Sequence, residues 1–318
     1  MATYIIRRLI LAVVVLIIVS LLVFFTIRLL PGDPILLYLT RGAAVTLTPE
    51  QIAEARHEFG LDKPIIIQYF NWLGNLFRGD LGISLFYRES VGKLISERLP
   101  ITINLGLVAF VLSFFLGVVT GVISALKLDK PIDTIITVLA NIGITIPVFW
   151  LGIILIYFFG LRLHWLPLHG YTSPFVDLVK NIRQLVLPVF CIMVFNLSAT
   201  QRQMRSAMLE VIRQDYVRTA WSKGLTERVV VMRHILKNSL IPVITLNGMG
   251  FAMILGGQVL IETVFNVPGI GSLAVNATLS QDYAVVQACV LMTALMVVLA
   301  NFLVDISYGY FDPRIRYD

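Results

Sequence analysis

Six apolar stretches, each long enough to cross a lipid bilayer, constrain this chain more than any other feature. They cover about residues 9–29, 101–126, 135–160, 185–197 with an extension to 208, 240–265 and 285–308. The hydrocarbon core of a membrane is about 30 Å thick, which takes about 20 helical residues to span. Inside it no water is present to pair with backbone N–H and C=O groups, so such stretches must be helices. An all-α integral membrane protein with six transmembrane helices is expected. The composition agrees: 58% of the residues are hydrophobic and 14% charged, whereas a soluble domain carries about 25% charged residues. The fourth stretch is the weakest, because Gln201, Arg202 and Gln203 arrive early. Its helix is expected to continue out of the membrane.

Orientation follows from the Lys/Arg content of the short loops. With the N-terminus inside, the cytoplasmic segments hold Arg7, Arg8, Lys127, Lys130, a basic cluster after the fourth span, Arg314 and Arg316. The outside loop 266–284 has no Lys or Arg, and loop 161–184 has Arg162, Lys180 and Arg183. Both termini are therefore expected in the cytoplasm. The net charge of +6 and pI of 9.4 follow this topology and do not point to nucleic acid. Cys191 and Cys289 lie in apolar runs, where thiols act as small hydrophobes, so no disulfide is expected. Arg7-Arg8 precedes an apolar run too long for a signal peptide and without a small-residue cleavage site.

The whole chain, 1–318, reads as one transmembrane domain with two elaborations. Loop 31–100, outside, is dense in apolar residues and should be ordered. Thr48 and Pro49 open a helix over 50–59 that Gly60 stops. Lys63-Pro64 opens a second, IIIQYFNWLGNLF, whose Tyr69, Phe70, Trp72 and Phe77 suit a membrane interface. Gly79–Gly82 ends it.

The second elaboration is the cytoplasmic loop 202–239. From Arg202 to Lys237 it carries eight Lys/Arg (Arg202, Arg205, Arg213, Arg218, Lys223, Arg228, Arg233, Lys237) against Glu210, Asp215 and Glu227. A helix over 210–223 should end at Gly224 in the left-handed conformation. Thr226 should cap a second short helix with Glu227 at the positive end of its dipole. Positive-inside topology explains the charge. It does not explain the helix–Gly–helix layout or the Tyr216, Ala220 and Trp221 face, which read as a dock for a soluble partner.

Within the spans, Glu262 and Asp305 are costly and raise a functional reading, although both lie near helix ends. Asn141, Asn196, Asn247, Gln258 and Asn301 suit interhelical hydrogen bonds. Asn247, Gln258 and Glu262 are the candidates for a translocation path or gate. Gly117, Gly121 and the cluster Gly248, Gly250, Gly256, Gly257 permit close helix packing, and Pro147 reads as a tolerated kink.

Chemistry-bearing motifs are missing. The sequence has no GxxxxGK[ST], HExxH or CxxC, and His57, His164, His169 and His234 fall in loops. No cofactor, metal site or catalytic residue is expected. An intramembrane enzyme would need a nucleophile–base or metal constellation that cannot be assembled here. A stand-alone secondary transporter or channel would place charged or symmetric broken helices at the midplane, whereas the charges cluster at helix ends.

The segment DYVRTAWSKGLTERVVVMRHILKNSLIP resembles the EAA loop of ABC importer permeases. It matches that pattern at Ala220, Gly224 and Leu236 and departs from it at Arg218, Thr219, His234 and Lys237. These departures, and a proline delayed to Pro242, resemble the peptide/nickel branch. PGDP (31–34), LDKP (61–64), GDLGIS (79–84), ETVFNVPGIG (262–271), DYAVVQ (282–287) and DPRIR (312–316) are similar to that branch, in the same order. The resemblance implies the first of two permeases in an ATP-driven importer of a bacterial or archaeal cell membrane, performing no hydrolysis itself. It implies a second homologous permease as heterodimer partner, two cytoplasmic ATPases and an extracytoplasmic substrate-binding protein, with lipid around the bundle. ATPase coupling would fall on Asp215, Tyr216, Arg218, Thr219, Ala220, Lys223 and Gly224. The substrates implied are di- or oligopeptides, with nickel or metal chelates, glutathione and oligosaccharides as alternatives in the same class.

Overall fold

The computed structural model describes residues 2–29, 48–58, 61–256 and 258–311. PGDP, Gly60, Gly257 and DPRIR lie outside them. The described elements are helices: α1 (Ala2–Leu29), α2 (Pro49–Glu58), α3 (Ile65–Phe77), α4 (Val91–Leu126), α5 (Pro131–Thr145), α6 (Val148–Arg162), α7 (Leu178–Ile212), α8 (Asp215–Ser222), α9 (Glu227–Gly256), α10 (Val259–Val264), α11 (Ile270–Leu279) and α12 (Tyr283–Phe311). Five of them, α1, α4, α7, α9 and α12, are long and apolar enough to cross a membrane, and the bent pair α5–α6 makes a sixth if counted as one span.

That bent pair corrects the reading of Pro147. The two helices meet at 106°, which is a break and not a kink. Proline disfavours the helical region for the residue before it, and Ile146 is extended at φ −67°, ψ 126°. Pro147 then sits at the N-cap position of α6.

The other spans also differ from the sequence expectation at their ends. Helix α4 starts at Val91, includes Pro100 and is 36 residues long, about 54 Å at 1.5 Å per residue. It therefore carries the bundle's two ends. Near its start, Val91, Leu94 and Ile95 pack with Ile270, Leu273, Ala277 and Val285. Near its finish, Ala125 packs with Met204, Met208, Val217, Ala220 and Ile235. Helix α7 is 35 residues long and begins at an Asp177 cap, whose carboxylate accepts from the Lys180 amide at 2.9 Å. The fifth span is not continuous to 265, because α9 stops at Gly256 and α10 is a separate helix.

Helices α4 and α7 form the most extensive pair, and glycine sets their approach. A Cβ on Gly117 would lie 2.6 Å from Thr200 Cβ and 2.9 Å from the Leu197 carbonyl oxygen. On Gly121 it would lie 2.6 Å from Met204 Cβ and 2.8 Å from the Gln201 carbonyl oxygen. The expected small-residue packing is present there.

Helix α1 is the outlying span and leans mainly on α12. At its far end Phe24 meets Tyr69 and Trp72 of α3, with ring centroids 5.2 and 5.5 Å apart. Ser20 Oγ and the Tyr69 hydroxyl share a hydrogen bond of 2.9 Å. The loop after α1 is ordered where it is described. Thr48 and Gln51 form a reciprocal capping box, with amide-to-side-chain distances of 3.1 and 3.4 Å. Gly79 and Gly82, at φ +82° and +86°, turn the chain after α3.

Candidate functional site

The basic loop forms a short helical element packed on the bundle. Helix α7 runs to Ile212, where Arg213 caps it, and extended Gln214 (φ −71°, ψ 145°) precedes α8. The expected helix over 210–223 is thus two helices meeting at Arg213–Gln214. Asp215 opens α8, where its charge faces the positive end of the helix dipole. Val217 and Ala220 are the buried face, packed with Met204, Met208, Val230 and Ile235. The other residues of α8 are exposed, including Tyr216, Arg218, Thr219 and Trp221, as are Lys223 and Gly224 beyond its end.

Gly224 has φ +77°, the left-handed region that favours glycine. Nothing lies within 4 Å of where its Cβ would be, so the conformation and not space selects glycine. Thr226 occupies the following N-cap position without a side-chain hydrogen bond. The helix it opens is not a separate short one. It continues as α9 through wider π-helical turns over Val231–Leu236 into the fifth span. Tyr216 links the two arms: Asn238 Nδ2 donates to the Tyr216 hydroxyl at 3.2 Å and to the His234 carbonyl at 2.7 Å. The two helices on either side of Gly224 are thus joined by a side-chain hydrogen bond as well as by the packing of Val217 and Ala220 on Val230 and Ile235.

Of the sequence-selected set, Asp215, Tyr216, Arg218, Thr219, Lys223 and Gly224 share this exposed element. Ala220 faces inward, where its small side chain lets α8 lie close to α7 and α9. The Asp215–Arg218 pair is 3.8 Å apart and nearly solvated on both sides, so it adds little stability.

The three path or gate candidates occupy two different networks and one cavity edge. Asn247 Oδ1 accepts from Asn196 Nδ2 (3.2 Å) and Thr200 Oγ1 (2.9 Å), and its Nδ2 donates to the Val243 carbonyl (2.9 Å). Asn196 also donates to Ser113 Oγ at 2.8 Å, so this network joins α4, α7 and α9. Glu262 is fully buried. Its Oε1 accepts from Thr102 Oγ1 at 2.7 Å and its Oε2 from the Ser272 amide at 2.9 Å. The Thr102 hydroxyl in turn accepts from the Ile270 amide at 2.9 Å. The carboxylate thus caps the start of α11 and ties it to α4. Gln258 is 3% exposed, and neither of its amide atoms has a hydrogen-bond partner among the described residues. It borders a cavity of about 250 Å³ with Val148, Phe195, Asn196 and Met253.

Two features escaped sequence reasoning. Asp282 Oδ2 accepts from Ser84 Oγ (2.5 Å) and the Phe86 amide (3.0 Å), tying the turn after α3 to the start of α12. Both residues sit in motifs visible in the sequence, but nothing there pairs them. Helix α9 also exposes Ile241, Met249 and Met253, spaced by multiples of four and so on one face. Phe195 and Leu260 are exposed too. The i, i+4 spacing was the available signal.

Comparison with known proteins covers the whole chain. The family described as "Binding-protein-dependent transport system inner membrane component" matches residues 117–317. A second, described as the N-terminal part of a binding-protein-dependent transport system membrane component, matches residues 1–106. A putative peptide transport system permease protein of Brucella abortus is 42% identical over 319 residues, with 100% of each chain covered. The di/tripeptide transport system permease protein DppB of Pseudomonas aeruginosa is 40% identical, covering 100% of this chain and 99% of that one. Among solved structures, an inward-facing MetNI methionine ABC transporter superimposes with a TM-score of 0.56 at 16% identity, over 69% of this chain and 96% of that one. An amino acid ABC transporter gives 0.53 at 13% identity, over 69% and 94%. At such identities these two speak to the fold alone.

Proposed function

The chain belongs to the binding-protein-dependent transport system inner membrane components, and from that premise we propose that it is the peptide-translocating permease of an ATP-driven importer. It is a multi-pass protein of the bacterial inner membrane, and in this family the ATPase is a separate subunit. The names of full-length relatives at 40–42% identity favour di- or oligopeptides as its substrate.

The observation that carries the coupling role is the two-faced build of α8. Val217 and Ala220 anchor it, while Tyr216, Arg218, Thr219, Trp221 and Lys223 face outward beside Gly224. An apolar and basic outer face on an elbow anchored to the bundle suits the groove of a cytoplasmic ATPase, two of which would serve the complex. The exposed stripe of α9 favours a second, homologous permease across it, since a face with Met249 and Met253 more than 60% exposed needs cover in membrane or protein. Asn247, Gln258 and the cavity beside Met253 would then lie near the path, with Glu262 holding the α10–α11 hairpin as part of the gate. A binding protein would deliver peptide at the end of the bundle opposite the basic loop.

In mechanism, ATP binding draws the ATPases together and carries the two docking elements with them. Motion of α8 passes to α7 and α9 and shifts the bundle between two packings, each partner biasing the same equilibrium. Affinity purification of the tagged chain from its native membrane, with mass spectrometry and ATPase assay, tests this reading. Recovery of a P-loop ATPase, with hydrolysis stimulated by a binding protein carrying peptide, is expected. A chain recovered alone, folded and without ATPase activity, would overturn it.

A further inference from the structure

A polar cleft lies between the end of α1, helix α3 and the start of α12, at the end of the bundle opposite the basic loop. It encloses about 240 Å³, several times the roughly 30 Å³ that a water molecule occupies in the liquid. Arg28, Asn71, Trp72, Asn75, Tyr283 and Gln287 are among the residues that border it.

Two of these have unused donors. Gln287 is 3% exposed, and its Nε2 has no hydrogen-bond partner among the described residues. A buried amide nitrogen without a partner costs about 1–3 kcal/mol, so the position calls for an acceptor. Arg28 is held in a fixed pose. Gln68 Nε2 donates to the carbonyls of Leu61 (3.2 Å) and Lys63 (2.8 Å), which turns Gln68 Oε1 toward Arg28 Nε at 3.0 Å. Arg28 Nη1 donates to the Phe24 carbonyl at 3.3 Å, and the guanidinium lies 3.4 Å from the Phe24 ring centroid. Nη2 is left over, and no carboxylate pairs with Arg28 among the described residues.

A guanidinium oriented by its neighbours, beside neutral amide donors, fits a tetrahedral oxyanion. The surroundings decide which one. Arg28 sits at the last turn of the outlying span, and Leu22 and Leu29 of that helix are exposed beside it. Trp72 of α3 borders the cleft, and Phe70 and Phe77 are exposed on the opposite face of the same helix. Exposed apolar surface on α1, Trp72 at the cleft and an α3 that shows aromatic side chains on its outer face are the setting of a lipid headgroup at the membrane interface. We propose that this cleft binds the phosphodiester of a membrane phospholipid, gripped by Arg28 and Gln287, with the acyl chains lying along α1. Such a lipid would brace α3 against α12, where direct helix contact is thin.

The test uses the transporter complex purified through this chain and stripped of lipid. Native mass spectrometry is run with added phosphatidylglycerol, with diacylglycerol of the same tails, and with phosphatidylglycerol plus inorganic phosphate. One tightly held phosphatidylglycerol per chain is expected, with no matching retention of diacylglycerol. Arg28→Gln should weaken retention by about tenfold or more. Because Arg28 also fixes Gln68, the near-isosteric Gln287→Leu serves as the second variant and should weaken it too without lowering the melting temperature in the absence of lipid. Equal retention by both variants, or of diacylglycerol, would overturn the proposal. Displacement of the lipid by inorganic phosphate would overturn the lipid as occupant and make the cleft a site for a soluble phosphate.

Discussion

Arg205 reaches from α7 to the first turn of α5 and grips Asp133 with two nitrogens, Nε to Oδ1 at 2.8 Å and Nη2 to Oδ2 at 2.9 Å. Ser124 of α4 also donates to Asp133, and the Asp129 amide adds a bond of 3.2 Å. One carboxylate therefore pins the ends of three helices, roughly two turns before the point where α7 gives way to α8.

Removing that charge should loosen this end of the bundle. Asp133→Asn keeps the shape but leaves Arg205 facing a neutral amide, at a cost of about 2 kcal/mol, since Arg205 is still partly exposed to solvent. Arg205→Lys loses the forked geometry and should cost less than Asp133→Asn. Thermal unfolding of the purified complex reads both. A melting temperature unchanged by Asp133→Asn would show that the pair is not holding the helices.

Gly224 offers a test of whether conformation or surface contact matters at the elbow. A side chain in the left-handed region costs about 1–2 kcal/mol, least for Asn, and here it would strike nothing. Gly224→Asn should retain most substrate-stimulated ATPase activity, and Gly224→Val should lose most of it at equal chain abundance. Gly224→Asp should uncouple or detach the ATPases, because it adds an acid to a basic dock. Equal loss in Asn and Val variants would locate the effect in the contact surface and not in the backbone.

The glycines of α4 should be intolerant where a helical glycine elsewhere is not. Gly117→Ala and Gly121→Ala each drive a Cβ to within 2.6–2.9 Å of α7 atoms, two of them backbone carbonyl oxygens. Overpacking of this kind costs about 1–3 kcal/mol. Gly74→Ala in α3 meets nothing within 4 Å and should be neutral or stabilising by up to about 1 kcal/mol. Membrane-inserted yield and melting temperature of the three variants give the comparison.

The Thr102–Glu262 pair should act as one unit at the other end. Thr102→Val removes the donor to Glu262 and the acceptor for the Ile270 amide, at about 1–3 kcal/mol. Glu262→Gln sets an N–H or a lost charge against the Ser272 amide. Because the residues share a network, the double variant should cost less than the sum of the singles. Peptide uptake should fall in each while the ATPase still co-purifies. Additive costs would mean that the two side chains act independently.

How much was legible depended on range. The apolar runs located the spans because hydrocarbon demands length and little else. The helix start at Thr48 and the left-handed Gly224 were legible because both are settled by a few neighbouring residues. The 106° break at Ile146–Pro147 was not, since proline is compatible with either a kink or a stop and packing against α7 and α10 decides. Nor was the merging of the helix after Thr226 with the fifth span, because Thr226 gives the start of a helix but not its end. Ser84 with Asp282 and Thr102 with Glu262 join positions 198 and 160 apart. One sequence shows that such polar residues are present near helix ends and leaves their pairing to the fold.

The central claim is that the exposed face of α8 is where a cytoplasmic ATPase engages this chain. A photo-crosslinking amino acid placed at Trp221, on the exposed face, tests it in the native membrane. The account predicts a crosslink to a P-loop ATPase whose yield changes when ATP is bound and falls in Gly224→Asp. A crosslink confined to lipid or absent altogether, in a complex that still imports peptide, would contradict it.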